Sequence, residues 1–185
     1  MDQIIVHLAD GFEEVEAVTI VDVLRRAGLD VIIVSVSGKL LVRGSHHIEI
    51  KADALFEDVD YTHGKMIILP GGMPGAKNLN GHEGLRSEIL NYNKSNKFLA
   101  AICAAPLVFG NLGILTGKRA VCYPGFEAQL AGAEISDAPY MVDEHIITGR
   151  GVGAALKFSL EIVRILTGEK QATQLRKNLL VEEEI

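Results

Sequence analysis

The chain has no apolar run approaching the roughly 18 residues of a membrane span, which argues against a helical membrane protein. It has no basic leader either: Met1-Asp2-Gln3 runs straight into the strand-like Ile4-Ile5-Val6, so neither secretion nor a transit peptide is expected. Cysteine is scarce. Cys103 and Cys122 stand alone with no CxxC spacing, which argues against a disulfide scaffold or zinc ribbon and fits a reducing cytoplasm. There is no basic cluster, and a net charge of −6 argues against nucleic acid as a partner. The six histidines show no HExxH or comparable spacing. His46 and His47 are adjacent, so on a strand they would point to opposite faces, and no metal is expected. Linkers, repeats and low-complexity tracts are also missing, so the 185 residues are expected to form one domain, 1–185.

What is present is an alternation of strand-like and helix-like segments, the pattern of an α/β sheet. Residues 3–8, Val31-Ile32-Ile33-Val34-Ser35-Val36, Met66-Ile67-Ile68-Leu69 and the run ending at Cys103 read as strands covered on both sides. Residues 14–27 place Ala17, Ile20, Val21, Leu24 and Ala27 on one helical face, and Gly28 supplies the stop. Val18 and Val23 fall off that stripe, so they are expected on a contact surface. Further helices are expected near 82–93, 105–112, 151–166 and 169–180, with a weak edge hairpin at 41–50. Shorter strands fall near 119–122, 134–136, 140–143 and 145–148, and the Glu182-Glu183-Glu184 tail is expected to fray. The fold class is α/β, a three-layer α/β/α sandwich with a mostly parallel sheet.

Such sheets bind ligands outside the carboxyl ends of their strands, and three unusual loops fall at such ends. They are Asp10-Gly11-Phe12-Glu13-Glu14, Pro70-Gly71-Gly72, and the turn at Cys103. In Ala100-Ala101-Ile102-Cys103-Ala104-Ala105-Pro106 a buried strand stops at a cysteine and small residues lead into a helix. A thiol there sits at the positive end of a helix, which favours a thiolate of low pKa, and sharp strand-to-helix turns display nucleophiles. Free cysteine is also commonly a small buried core residue, and the local sequence leaves both readings open. Gly71 and Gly72 can bring bare amides close to a ligand, forming an oxyanion hole with the Ala104 amide; alone, the pair reads as an ordinary turn.

Glu13, Glu14 and Glu16 crowd the start of the first helix, where acids usually complement the dipole and face water. The helical wheel puts Glu13 and Glu16 on or beside the sheet-facing stripe, where desolvation would raise a carboxyl's pKa and keep it a proton donor. Periodicity does not choose between them. Gly149-Arg150-Gly151-Val152-Gly153-Ala154 formally fits a dinucleotide fingerprint but lacks the following strand with its acidic residue, so it reads as a strand-to-helix turn. His145 reads as structural.

Together these segments resemble the ThiJ/PfpI family, in its DJ-one-like subgroup. The resemblance rests on Gly11-Phe12-Glu13-Glu14-Val15-Glu16, Val21-Asp22-Val23-Leu24-Arg25-Arg26-Ala27-Gly28, Leu69-Pro70-Gly71-Gly72 with Gly75-Ala76-Lys77-Asn78-Leu79, the Cys103 segment, and Thr148-Gly149-Arg150-Gly151-Val152-Gly153. It implies a flavodoxin-like fold, a homodimer, a reactive cysteine matching Cys103 and a protonated carboxyl partner matching Glu16. It also implies amides of Gly71 and Gly72 near the sulfur, and Arg26 near a dimer interface that completes the site.

Two positions depart from the family pattern. Ala104 stands where hydrolase-like members carry histidine, and Ala131-Gly132-Ala133-Glu134 stands where a subgroup histidine is expected. The implied activity is therefore cofactor-independent, cysteine-dependent chemistry on small reactive aldehydes such as methylglyoxal, or on glycated protein or nucleotide. A redox sensor or redox-regulated chaperone using an oxidisable Cys103 is the alternative, and a cysteine hydrolase ranks below both.

Overall fold

A computed structural model of the chain describes residues 3–182, so Glu183 and Glu184 of the acidic tail lie outside the described residues. The elements run β1 (Gln3–Leu8), α1 (Glu14–Arg26), β2 (Val31–Ser35), β3 (Leu41–Arg43), β4 (Glu49–Lys51), β5 (Ala54–Leu55) and β6 (Gly64–Leu69). They continue with α2 (Gly75–Gly81), α3 (Glu83–Lys94), β7 (Phe98–Ile102), α4 (Pro106–Asn111), β8 (Arg119–Ala120) and β9 (Glu134–Ile135). The last are β10 (Tyr140–Asp143), β11 (Ile146–Gly149), α5 (Ala155–Thr167) and α6 (Glu169–Asn178).

The main sheet has the order β10-β11-β7-β6-β1-β2-β5 and is parallel except for β10, which pairs antiparallel with β11. Period-2 alternation sends Ile4, Val6 and Leu8 of β1 to one face and Ile5 to the other. On the first face they pack with Ile20 and Leu24 of α1 and Phe158 and Ile162 of α5; on the second, Ile67, Leu79, Ile89 and Phe109 form a separate core. This is the expected three-layer α/β/α sandwich.

β1 is the switch point: β2 and β5 build outward on one side, and β6, β7 and β11 on the other. The loops after β1, β6 and β7 therefore meet at one crevice at the carboxyl rim.

Several local expectations are corrected. Val23 is buried, because α5 covers the face of α1 that turns from the sheet, whereas Val18 is exposed as expected. The hairpin β3–β4 forms its own two-stranded sheet, and so does the parallel pair β8–β9. α2 has two glycines in seven residues and no helical periodicity of its own; buried Ala76 and Leu79 hold it in place. After Gly151 the chain makes a 3-10 turn over Val152–Ala154 before α5 begins, so the glycine run is a strand-to-helix turn, as read from the sequence.

Candidate active site

Cys103 follows directly on β7 with φ 65°, a left-handed conformation that is costly for a residue with a Cβ and is commonly found at functional sites. Two backbone bonds hold it there. Its N–H donates to Gly149 O (2.9 Å), and its C=O accepts from Tyr123 N–H (2.8 Å). The amides of Gly72 and Ala104 donate towards its sulfur.

Glu16 is the carboxyl that the fold brings to this thiol. It is fully buried, its Oε2 accepts from Gly71 N–H at 2.8 Å, and its carboxyl hydrogen-bonds the Cys103 side chain. Its Oε1 is buried without a protein partner among the described residues. Glu13 takes a different task. Its Oε2 accepts the Glu16 amide (2.7 Å) as the N-cap of α1, and its own N–H donates to Gly71 O at 2.9 Å. Gly71 is thus gripped from both sides by the start of α1.

This corrects one expectation: the Gly71 amide is spent on Glu16 and does not face the sulfur, so Gly72 and Ala104 supply the free donors. Gly71 is needed for a second reason. A Cβ there would lie 2.5 Å from the Cys103 Cβ and 2.8 Å from Glu16 Oε2.

Burial pushes the Glu16 carboxyl up to about 7, against the pull of the Gly71 amide and the Cys103 hydrogen bond. Burial and the neighbouring carboxyl push the Cys103 thiol up to about 12, opposed by the Gly72 and Ala104 amides. The low thiol pKa expected from the helix end is therefore corrected. α4 is a six-residue helix, and desolvation beside an acid outweighs it. The two groups titrate as a pair that carries at most one negative charge near neutrality. The Gly71 amide favours that charge on oxygen, and the Gly72 and Ala104 amides favour it on sulfur.

Arg26 is not brought to this site within the chain. It lies at the far end of α1, 55% exposed, paired with Asp22. His145 sits on the β10–β11 turn at the opposite rim, where its Nε2 meets Asn93 Oδ1 at 2.9 Å. No hydrogen bond of Cys103 or Glu16 among the described residues involves a histidine.

His46 and His47 lie on the turn between β3 and β4, not on a strand as assumed. There His46 Nδ1 approaches Glu14 Oε2 (3.0 Å) and Glu13 Oε1 (3.9 Å). These three residues are the group among the described residues whose spacing could hold a cation. Glu14, however, already accepts from the amides of His46 and Ile48 and from the Ser45 hydroxyl, which latches the hairpin to α1.

Sequence reasoning missed Tyr123, a half-exposed ring whose backbone anchors Cys103. Its signal was the short string Val121-Cys122-Tyr123-Pro124, with no periodicity to place it.

Residues 2–165 match the DJ-1/PfpI family. The chain belongs to that family. Its relatives include the Arabidopsis thaliana protein DJ-1 homolog B, 36% identical over 97% of this chain and 41% of the relative, so the chain spans less than half of that protein. A second is the glutathione-independent glyoxalase DJR-1.2 of Caenorhabditis elegans, 31% identical over 90% of this chain and 89% of that one. Among solved structures, the oxidized DJ-1 of Toxoplasma gondii superposes with a TM-score of 0.94 at 34% identity, covering 99% of this chain and 100% of that one. The fold of this DJ-1/PfpI chain is thereby that of its relatives, and no helix among its described residues is long and apolar enough to cross a membrane.

Proposed function

We propose that this DJ-1/PfpI protein is a cofactor-independent enzyme that converts 2-oxoaldehydes to 2-hydroxy acids, with Cys103 as nucleophile and Glu16 as acid and base. The observation that carries the reading is the buried Glu16 carboxyl hydrogen-bonded to a cysteine on a left-handed turn. In the reactive form the pair's single charge is on sulfur and Glu16 holds its proton. The thiolate adds to the aldehyde carbon, and Glu16 protonates the new alkoxide to give a hemithioacetal. The Glu16 carboxylate then removes the proton from that carbon and delivers it to the neighbouring carbonyl carbon, while the hydroxyl proton of the first carbon passes to the neighbouring carbonyl oxygen. One carbon is oxidised and the other reduced, leaving a thioester. Water cleaves it to the hydroxy acid and regenerates the thiol. The Gly72 and Ala104 amides stabilise oxyanions along this course. The glyoxalase named among the relatives supports the same chemistry.

The test is methylglyoxal consumption and lactate release by purified protein without glutathione. Cys103→Ser is expected to abolish both, and Glu16→Gln to abolish turnover while leaving the thiol open to alkylation. Full turnover in Cys103→Ser would discard the mechanism.

A second reading is redox sensing through Cys103, favoured by the similarity to a DJ-1 solved in oxidized form. Peroxide treatment separates the two: a sensor gains a new activity on oxidation, whereas the enzyme loses turnover. We further infer a cytoplasmic homodimer. Val15 and Val18 of α1 are exposed, as are Leu41 and Ile48 of the hairpin that Glu14 latches to the start of α1, and a second copy would cover such apolar side chains.

A further inference from the structure

We propose that Glu13, Glu14 and His46 form a binding site for a first-row divalent metal ion such as Zn²⁺, where the β3–β4 turn meets the start of α1. The site is separate from the chemistry of Cys103 and does not depend on it.

The sequence argument against a metal took His46 and His47 as neighbours on a strand, unable to share an ion. They lie on a turn, and the ion needs only one of them, because its other two ligands come from the start of α1.

One donor atom from each residue faces the same point. His46 Nδ1 is 3.0 Å from Glu14 Oε2 and 3.9 Å from Glu13 Oε1, and one ligand atom of each residue lies within 4.8 Å of the other two. The Ser45 hydroxyl joins them, 3.1 Å from Nδ1 and 3.2 Å from Glu14 Oε2. Zn²⁺ holds nitrogen and oxygen at about 2.0–2.2 Å, so its ligand atoms stand roughly 3–3.5 Å apart. His46 and Glu14 already have that spacing, and a turn of the exposed imidazole brings Glu13 into it.

The bonds these carboxylates make aim their donor atoms at the ion and do not use them up. Glu14 Oε1 takes the amides of His46 and Ile48, which leaves Oε2 facing the imidazole. Glu13 Oε2 takes the Glu16 amide, which leaves Oε1 facing the imidazole with no hydrogen bond among the described residues. Metal-binding carboxylates are commonly held in this way, with outer hydrogen bonds orienting the ligand. What lies between Nδ1 and Glu14 Oε2 is a proton, and a metal ion takes its place.

Charge favours the exchange. Glu13 and Glu14 are 8% and 4% exposed, and their ion pairs among the described residues are with His46 alone. Two buried carboxylates side by side repel, and a divalent cation removes that cost. The positive end of α1 opposes a cation with about half a charge, against two full negative charges on the ligands. The His46 side chain is 72% exposed, which gives the ion its way in.

The experiment titrates Zn²⁺ into metal-free protein by isothermal calorimetry, in the parent and in Cys103→Ser, so that an ion held by the thiol is told apart. One ion per chain is expected in Cys103→Ser, with a dissociation constant of about 1–10 µM. In that background His46→Ala and Glu13→Gln are each expected to weaken binding at least about tenfold. His47→Ala, which removes the neighbouring imidazole of the same turn, is expected to leave it unchanged. Glu13→Gln keeps an oxygen for the Glu16 amide and His46 is exposed, so both variants are expected to retain the parent's circular dichroism. Co²⁺ supplies a second readout, visible absorption bands that vanish in His46→Ala. Binding that is absent, that is lost in Cys103→Ser, or that keeps full strength in His46→Ala or Glu13→Gln overturns the site. So does a loss in His47→Ala equal to that in His46→Ala.

Discussion

Replacing Glu16 with glutamine tests the physics of the buried pair without reference to any substrate. The folded protein holds the Glu16 proton up to about pH 7, whereas the unfolded chain releases it near 4.5. Between those values folding takes up a proton, so raising the pH through this window removes stability. The full difference is about 3 kcal/mol, of which about 2.5 kcal/mol falls between pH 5 and pH 8. Glutamine does not titrate, so Glu16→Gln lacks this loss. Its Oε1 can still accept from Gly71 N–H, while its amide nitrogen adds a pH-independent effect.

The assay is urea unfolding of both proteins at pH 5, 6, 7 and 8, at fixed protein concentration. The stability of Glu16→Gln relative to the parent is expected to rise by about 2.5 kcal/mol across the series, or about 1 M in urea midpoint. The rise of the Cys103 thiol does not enter this range, because an unfolded thiol ionises only near 9. A difference that stays flat within about 0.5 kcal/mol would refute a Glu16 proton retained by burial.

Two further outcomes follow from the same geometry. Gly71→Ala forces a Cβ to within 2.5 Å of the Cys103 Cβ; by overpacking it should lose about 1–3 kcal/mol in urea unfolding and slow Cys103 alkylation. An unchanged alkylation rate would remove Gly71 from the site. His7, fully buried on β1 with Nε2 on the Tyr61 hydroxyl (2.8 Å), is held down to about 3 by burial, against 6.5 when unfolded. The stability it contributes is complete above pH 6.5 and is lost as the pH falls from there towards 3. His7→Phe should therefore unfold at lower pH than the parent in an acid titration followed by circular dichroism, and a higher midpoint would contradict the assignment.

The architecture was legible because it is written in local patterns. The nearly continuous β-branched run at residues 31–36 and the short apolar run at 66–69 that stops at Pro70-Gly71-Gly72 read as strands buried on both faces, and a period of 3.6 over residues 14–27 reads as an amphipathic helix. The site's place at the carboxyl rim followed from three broken strand ends. The pieces that escaped the reading have no such periodicity. α2 is held by burial of Ala76 and Leu79, and Val23 is covered by α5, an element more than a hundred residues away in the chain.

By itself, then, the sequence determined the α/β/α sandwich, the strand-to-helix turn at Cys103, and the presence of carboxyls at the start of α1. Only the tertiary structure decided among those carboxyls. Glu13 became the cap, Glu14 the latch on the hairpin and Glu16 the partner of the thiol. It also turned the Gly71 amide from the sulfur to Glu16, and it raised the thiol where the helix end alone would have lowered it. The reason is that helical spacing fixes which face a side chain leaves from, whereas its hydrogen-bond partners and desolvation come from loops brought to it by strands distant in the chain.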